Sequence, residues 1–279
     1  MKVSFWSNAK EMCNVSANLA AVSIACAIRS SYSILSMENH LCGHNLGKAY
    51  NGGARVNILD DVGTNYYDGN GLEGLLRKIY RGDARPEILK SYITEIINQH
   101  LYYIPQSRIL HNEIFDYELD HCIEPLFHMI EDNTDLCFID TASNNNLSTK
   151  IILEEADLIV VNLCQKSSVL EDFFLNYSSL ISKSIFIISH YHQHFLHTLR
   201  KISNHYKISP EYIIPFPDNE GYEDAYYNGY VHEFISRNIK CTNENPNYLF
   251  TQAVKKASHI ILRKTEALTK QKEILMCGK

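Results

Sequence analysis

The sequence predicts an α/β fold, a mainly parallel central sheet with helices on both faces, and three observations predict it. Short apolar or β-branched runs recur at residues 3–6, 32–37, 101–104, 136–139, 158–163, 184–188 and 212–214. Segments with helical spacing lie between them, the clearest at 115–130, 168–180 and 195–206. Such alternation of buried strands with crossover helices implies parallel strands covered on both sides. No Pro/Gly/Ser-rich linker, internal repeat or low-complexity run divides the 279 residues, a length one α/β domain fills. Residues 1–268 are read as that domain and 269–279 as a short basic tail.

The first strand, 3–6, runs into a turn at Ser7 and Asn8 and then into a helix of small residues between Ser16 and Ala27. A helix start carries unsatisfied N–H groups and partial positive charge, so this order aims donors at an anion. A phosphate cradle also needs glycines, a lysine for the outer phosphates and a Ser or Thr for magnesium. Between Ser7 and Asn14 there is no glycine, and counting back from Asn18 and Leu19 puts Met12 at the lysine position and Cys13 at the hydroxyl position. Lys10 offers a charge from a different place, beside Glu11, which repels a triphosphate. Ser7, Asn8, Ala9, Lys10, Glu11, Met12, Cys13 and Asn14 are the candidate cofactor contacts; the alternative is an ordinary first strand and helix.

The later strands place polar residues at their ends. The second run leads into Glu38, Asn39 and His40, the fourth into Asp140-Thr-Ala-Ser-Asn-Asn145, the sixth into Ser189-His-Tyr-His192 and the seventh into Pro215-Phe-Pro217. Parallel sheets bind ligands beyond the carboxyl ends of their strands, so these groups are expected to converge on one pocket. Asp140 is placed like a carboxylate that holds magnesium through water. Its other reading is a cap for a helix starting near Leu147. His190, His192, His194 and His197 crowd one junction, at a spacing that suits either a transition metal or solvated and capping imidazoles.

The last helix, from about Pro246, sets Leu249, Ala253, Val254, Ala257, Ile260, Ile261, Ala267 and Leu268 in helical rhythm among Lys255, Lys256, Arg263, Lys264, Lys270 and Lys272. Such a basic amphipathic segment either packs on the sheet or lies on an anionic membrane. The tyrosine pairs 66–67, 102–103 and 226–227 are expected to turn one ring inward and one outward.

Composition narrows the function classes. A formal net charge of −6 argues against direct nucleic-acid binding, which needs a basic footprint. Eight cysteines without Cys-x-x-Cys spacing read as free thiols of a reducing cytoplasm. Ser16, Asn18 and Ser23 interrupt the apolar run 15–28, and no segment reaches the roughly 20 apolar residues that span a bilayer. A cytoplasmic protein, or one peripheral at the inner face of the membrane, is expected. No Ser-His-Asp or Cys-His arrangement assembles from linear order.

Five segments carry a resemblance: Ser16-Ala-Asn-Leu-Ala-Ala21, Ile34-Leu-Ser-Met-Glu-Asn-His-Leu-Cys-Gly-His-Asn-Leu-Gly47, Cys137-Phe-Ile-Asp-Thr-Ala142, Glu155-Ala-Asp-Leu-Ile-Val-Val161 and Ile213-Ile-Pro-Phe216. In this order and spacing the chain resembles the ParA/MinD superfamily of deviant P-loop ATPases, and within it the TadZ/CpaE-like localisation proteins of tight-adherence (Flp-type) pili. The resemblance implies a three-layer α/β/α fold, a homodimer, ATP or ADP with magnesium, and protein partners of a pilus, secretion or positioning system. It implies catalytic positions at Glu38, His40 and Asp140, magnesium on Asp140, and adenine-side contacts at His190, Tyr191, Pro215 and Phe216. The pattern departs at the two lysines of the first loop, whose counterparts are Ser7 and Met12, and at the second acid, which is His40. Positioned positive charge is the main stabilising influence in phosphoryl transfer, so the expectation is a pseudo-ATPase with hydrolysis weakened or lost, doubtful ATP and magnesium binding, and retained scaffold surfaces; the alternative is an active dimeric switch ATPase for septum placement, partition or pilus localisation, with Lys10 substituting for the lost lysines.

Overall fold

The computed structural model describes residues 1–41, 45–51, 71–106, 112–144 and 146–277. Along the chain run β1 (Lys2–Trp6), α1 (Val15–Arg29), β2 (Ile34–Glu38), α2 (Leu46–Asn51), α3 (Leu72–Tyr80), β3 (Thr94–Ile97), β4 (Leu101–Tyr103) and α4 (Asn112–Glu131). They continue with β5 (Leu136–Asp140), α5 (Leu147–Glu155), β6 (Leu158–Cys164), α6 (Ser167–Asn176), β7 (Ser184–Ser189), α7 (Leu199–Tyr206), β8 (Ile213–Pro215), α8 (Glu220–Asn228), α9 (Val231–Asn238) and α10 (Tyr248–Cys277). Among the described residues the strands form one eight-stranded sheet in the order β3-β4-β2-β5-β1-β6-β7-β8. Every neighbouring pair is parallel except β3 with β4.

Side-chain alternation divides the strands between two faces. Val3, Phe5, Phe138 and Val160 pack on one side with α1, α9 and α10. On the other, Met37, Ile139 and Cys137 meet α3 and α4, while Trp6, Ile159 and Val161 meet α6 and α7. The result is the predicted three-layer α/β/α sandwich, with β1 in the sheet interior.

All seven expected runs are strands. Three of them extend by a residue to take in Glu38, Asp140 and Ser189, so polar groups sit inside the last turns of the ladder. The second run starts at Ile34, later than expected. The 195–206 segment becomes helical only at Leu199, because Thr198 caps it by accepting from the Lys201 amide. The 168–180 segment leaves the α-helix at Asn176 and continues as a tighter 3₁₀ turn, Ser178–Lys183. Helix α10 runs unbroken through the 268/269 boundary, with Ala253, Val254, Ala257, Ile260 and Ile261 buried. Cys42, Gly43, His44, Asn145 and the Tyr66–Tyr67 pair lie outside the described residues.

Candidate functional site

Because β2, β5, β1, β6, β7 and β8 all point the same way, their carboxyl ends form one edge, and two adjoining cavities open along it. The larger, about 550 Å³, lies within the roughly 300–1,000 Å³ range of small-molecule pockets. Its walls include the first turn of α1 (Asn14, Val15, Ser16, Ala17), His40, Asp140 and the segment after β5. The smaller, about 130 Å³, is bounded by Asn18, His190, Phe216, Asp218 and Tyr222, and both cavities share Asn14, Ala17, Tyr226 and Tyr227.

Glu38 and Asp140 are paired in register on neighbouring strands, so both carboxylates project on the same side. Glu38 is fully buried and Asp140 is 1 % exposed. Glu38 accepts from the Tyr103 hydroxyl at 2.7 Å and from the Leu46 amide at 3.1 Å. Burial first, and then the Asp140 charge, push its carboxyl up to about 7, against the opposing pull of His40 and the two donors. His40 Nε2 stands 3.4 Å from Asp140 Oδ1. Burial disfavours the imidazolium, but the Asp140 carboxylate outweighs it and carries His40 up to about 9. The second oxygen, Asp140 Oδ2, is buried without a hydrogen-bond donor. Between Glu38 and His40, Asn39 is pinned: its side-chain nitrogen donates to Thr149 Oγ1 at 3.0 Å and its side-chain oxygen accepts from the Ala142 amide at 2.6 Å.

The capping alternative for Asp140 is resolved by α5, whose cap is Asn146: its side chain accepts from the Thr149 amide at 3.0 Å. Asp140 is therefore not that cap, and it lines the larger cavity beside His40.

The turn after β1 is built differently. Residues Lys10–Cys13 form a 3₁₀ turn in which the Met12 amide donates to the Ala9 carbonyl, and Asn14 takes the left-handed conformation at φ 47°. Ser7, Ala9 and Cys13 are buried, and the Ser7 hydroxyl accepts from the Ala9 amide at 3.0 Å. Asn8 turns away to donate to Asp172 at 2.7 Å. Beneath the turn, Asn18 donates to Asn162 Oδ1 at 2.8 Å and Ser189 Oγ donates to the Cys13 carbonyl at 2.7 Å. The Cys13 and Cys164 thiols share one buried cluster, and their mutual influence raises the first and lowers the second. Of the turn candidates, Asn14 lines both cavities, while Ser7, Asn8, Ala9, Met12 and Cys13 line neither. The side chains of Lys10 and Glu11 lie outside the described residues.

On the other half of the edge, His190 and Phe216 line the smaller cavity. Tyr191 packs instead against the core around β6 and β7, and Pro215 ends β8 away from both cavities. His190 Nδ1 pairs with Asp218 Oδ1 at 2.6 Å, and His192 lies 3.5 Å from the same carboxylate, a partner invisible in linear order. Sequence reasoning also missed Lys166, whose Nζ reaches Met12 Sδ at 3.4 Å. It follows β6 with no motif around it.

A magnesium–triphosphate site needs hard oxygen ligands in near-octahedral array. Here the hydroxyl position is a buried thiol and the two carboxylates share their space with an imidazole. A thiol and an imidazole are softer donors than magnesium takes, so magnesium here would rest on the two carboxylates.

Comparison with solved structures shows the same fold. The chain is similar to a ParA family ATPase from Chlorobium tepidum TLS (TM-score 0.68, 13% identity, 92% of this chain and 98% of that one covered). It is similar to the septum site-determining protein MinD complexed with Mg-ADP from Pyrococcus horikoshii OT3 (TM-score 0.66, 15% identity, 93% and 95% covered). A plasmid partition protein from Borrelia burgdorferi B31 bound to AMPPNP also matches (TM-score 0.61, 14% identity, 94% and 98% covered). No protein-family model matches the chain, and no curated protein sequence matches it. Among the described residues no helix is long and apolar enough to cross a membrane.

Proposed function

We propose that the chain is a degenerate protein of the ParA/MinD type that serves as a localisation or scaffold component, with ATP hydrolysis weakened or lost. One observation carries the reading: the turn from Ser7 to Asn14 closes over paired polar side chains, and counting along the sequence puts Met12 and Cys13 where a triphosphate cradle has its lysine and hydroxyl. Removing even one donor of that kind raises a barrier by about 2.7–4 kcal/mol. The resemblance to TadZ/CpaE-like proteins supports a pilus or secretion apparatus as its setting, a homodimer as its working form, and the cytoplasmic side of the membrane as its location.

The second reading is an active dimeric switch ATPase, and Lys166 favours it, since its ammonium reaches the side chain that stands in the lysine position. Thermal melts with and without Mg-ATP, run beside a phosphate-release assay, separate the two. A native-state ligand at a hundredfold excess over its dissociation constant stabilises by about 2.7 kcal/mol. The scaffold reading expects no hydrolysis above background. Turnover by pure protein that disappears in both Asp140→Ala and Lys166→Ala overturns it.

A further inference from the structure

We propose that Glu38, His40 and Asp140 form a binding site for a divalent first-row transition metal, held by His40 Nε2 and one oxygen of each carboxylate and open towards the larger cavity. The inference does not depend on whether nucleotide binds, because the three ligands come from the ends of β2 and β5 and not from the turn after β1.

The geometry carries it in three steps. First, one donor atom from each of the three residues lies within 4.8 Å of the others, close enough for a single ion to draw them together. Second, Asp140 lines this cavity, and its Oδ2 is buried and lacks any donor. Buried carboxylate oxygens are ordinarily hydrogen-bonded, so an orphan beside a second buried carboxylate in matched register is an environment that a dication would complete. Third, the ligands are held from behind. The Tyr103 hydroxyl and Leu46 amide fix Glu38, and Gln106 Nε2 donates to the carbonyls of Glu38 and His40 at 3.1 and 3.0 Å. Such outer partners orient ligands in metal sites.

Donor chemistry selects the ion. One imidazole with two carboxylates suits zinc, cobalt, manganese or iron, whereas magnesium prefers oxygen alone and keeps its waters. Three protein ligands with an open fourth position towards a cavity is the pattern of sites that present an ion to water or a ligand.

The test uses the full chain, stripped with EDTA and without nucleotide, titrated with Co²⁺, Zn²⁺ and Mg²⁺. One Co²⁺ per chain, with visible bands of nitrogen and oxygen ligation, displaced by Zn²⁺ and untouched by millimolar Mg²⁺, is expected. Tyr103→Phe, a positioning change, should weaken Co²⁺ binding by roughly 10–100-fold, and His40→Ala or Asp140→Asn by more. The exposed His190 and His192 provide the control: a His190→Ala/His192→Ala variant should bind as the parent does. The proposal is overturned if the parent shows no saturable Co²⁺ or Zn²⁺ binding, if Mg²⁺ binds as tightly, or if only the His190/His192 variant loses the ion. Should the His40 or Asp140 variants fail to fold, the Zn²⁺-against-Mg²⁺ comparison on the parent decides alone.

Discussion

Two halves of one sheet edge have opposite characters. Over β1, β6 and β7 the turn Ser7–Asn14 is shut, and polar side chains beneath it pair with one another, Asn18 with Asn162 and Ser189 with the Cys13 carbonyl, although Asn8 Oδ1 and Trp6 Nε1 are buried without a partner. Over β2 and β5 the edge is open, with two buried carboxylates side by side and one oxygen unpartnered. Buried polar groups that are fully paired specify structure, while those left short of partners point to something the chain itself does not supply. The half over β1, β6 and β7 is closed by paired side chains, and the half over β2 and β5 is the one that brings Glu38, His40 and Asp140 together.

The comparison presupposes that both halves stand on one core. Phe5 lies at its centre, packed against Phe138 at 5.6 Å between ring centroids and fully buried. Phe5→Ala should cost about 3–5 kcal/mol. Urea unfolding followed by fluorescence and circular dichroism should keep a single shared transition at lower denaturant; two separated transitions would mean that the halves are independent units.

A smaller effect isolates the closed half. Asn18→Ala removes the donor to Asn162 Oδ1, and a buried acceptor so orphaned costs about 1–3 kcal/mol. Chemical denaturation should register that loss while Co²⁺ uptake at the open half stays unchanged. Equal damage to both would dissolve the distinction between them.

Much of this architecture was legible in the sequence, and the parts that were not have physical reasons. Buried parallel strands announce themselves as apolar runs, which is why seven were readable. Strand β3 was not, because it is an edge strand with Thr94 and Glu95 exposed, and its antiparallel pairing with β4 needs no apolar run. Glu38, His40 and Asp140 were each identifiable as strand-end residues, but their meeting depends on the register Glu38 to Asp140, a property of pairing and not of either segment. The Cys13–Cys164 contact and the Lys166 approach to Met12 are likewise products of topology. Asp140 illustrates the limit most sharply: linear order suits a cap and a ligand equally, and only the structure shows Asn146 in the cap.

That assignment is itself testable. Asn146→Ala should destabilise by about 1 kcal/mol, within the 0.5–2 kcal/mol span of lost N-caps, and leave cation uptake intact. A melt in which Asn146→Ala is silent would mean that the Asn146 cap does not hold α5.

The smallest effect concerns the end of α10, where packing and membrane contact were both open to a basic amphipathic helix. Lys272 Nζ pairs with Asp157 Oδ1 at 2.6 Å, and the other Asp157 oxygen accepts from the Lys2 amide at 2.8 Å. The helix end is thereby tied to the amino-terminal edge of β1, opposite the two cavities. A half-exposed pair of this kind contributes about 0.2–1 kcal/mol and weakens with salt. Lys272→Ala should therefore lower stability slightly at low ionic strength and not at high. For the tail to lie on anionic vesicles it must first release Asp157, so the same variant should increase co-sedimentation if the tail is a membrane element. Vesicle binding that survives deletion of residues 269–279 would place any membrane contact elsewhere and leave the helix end as packing alone.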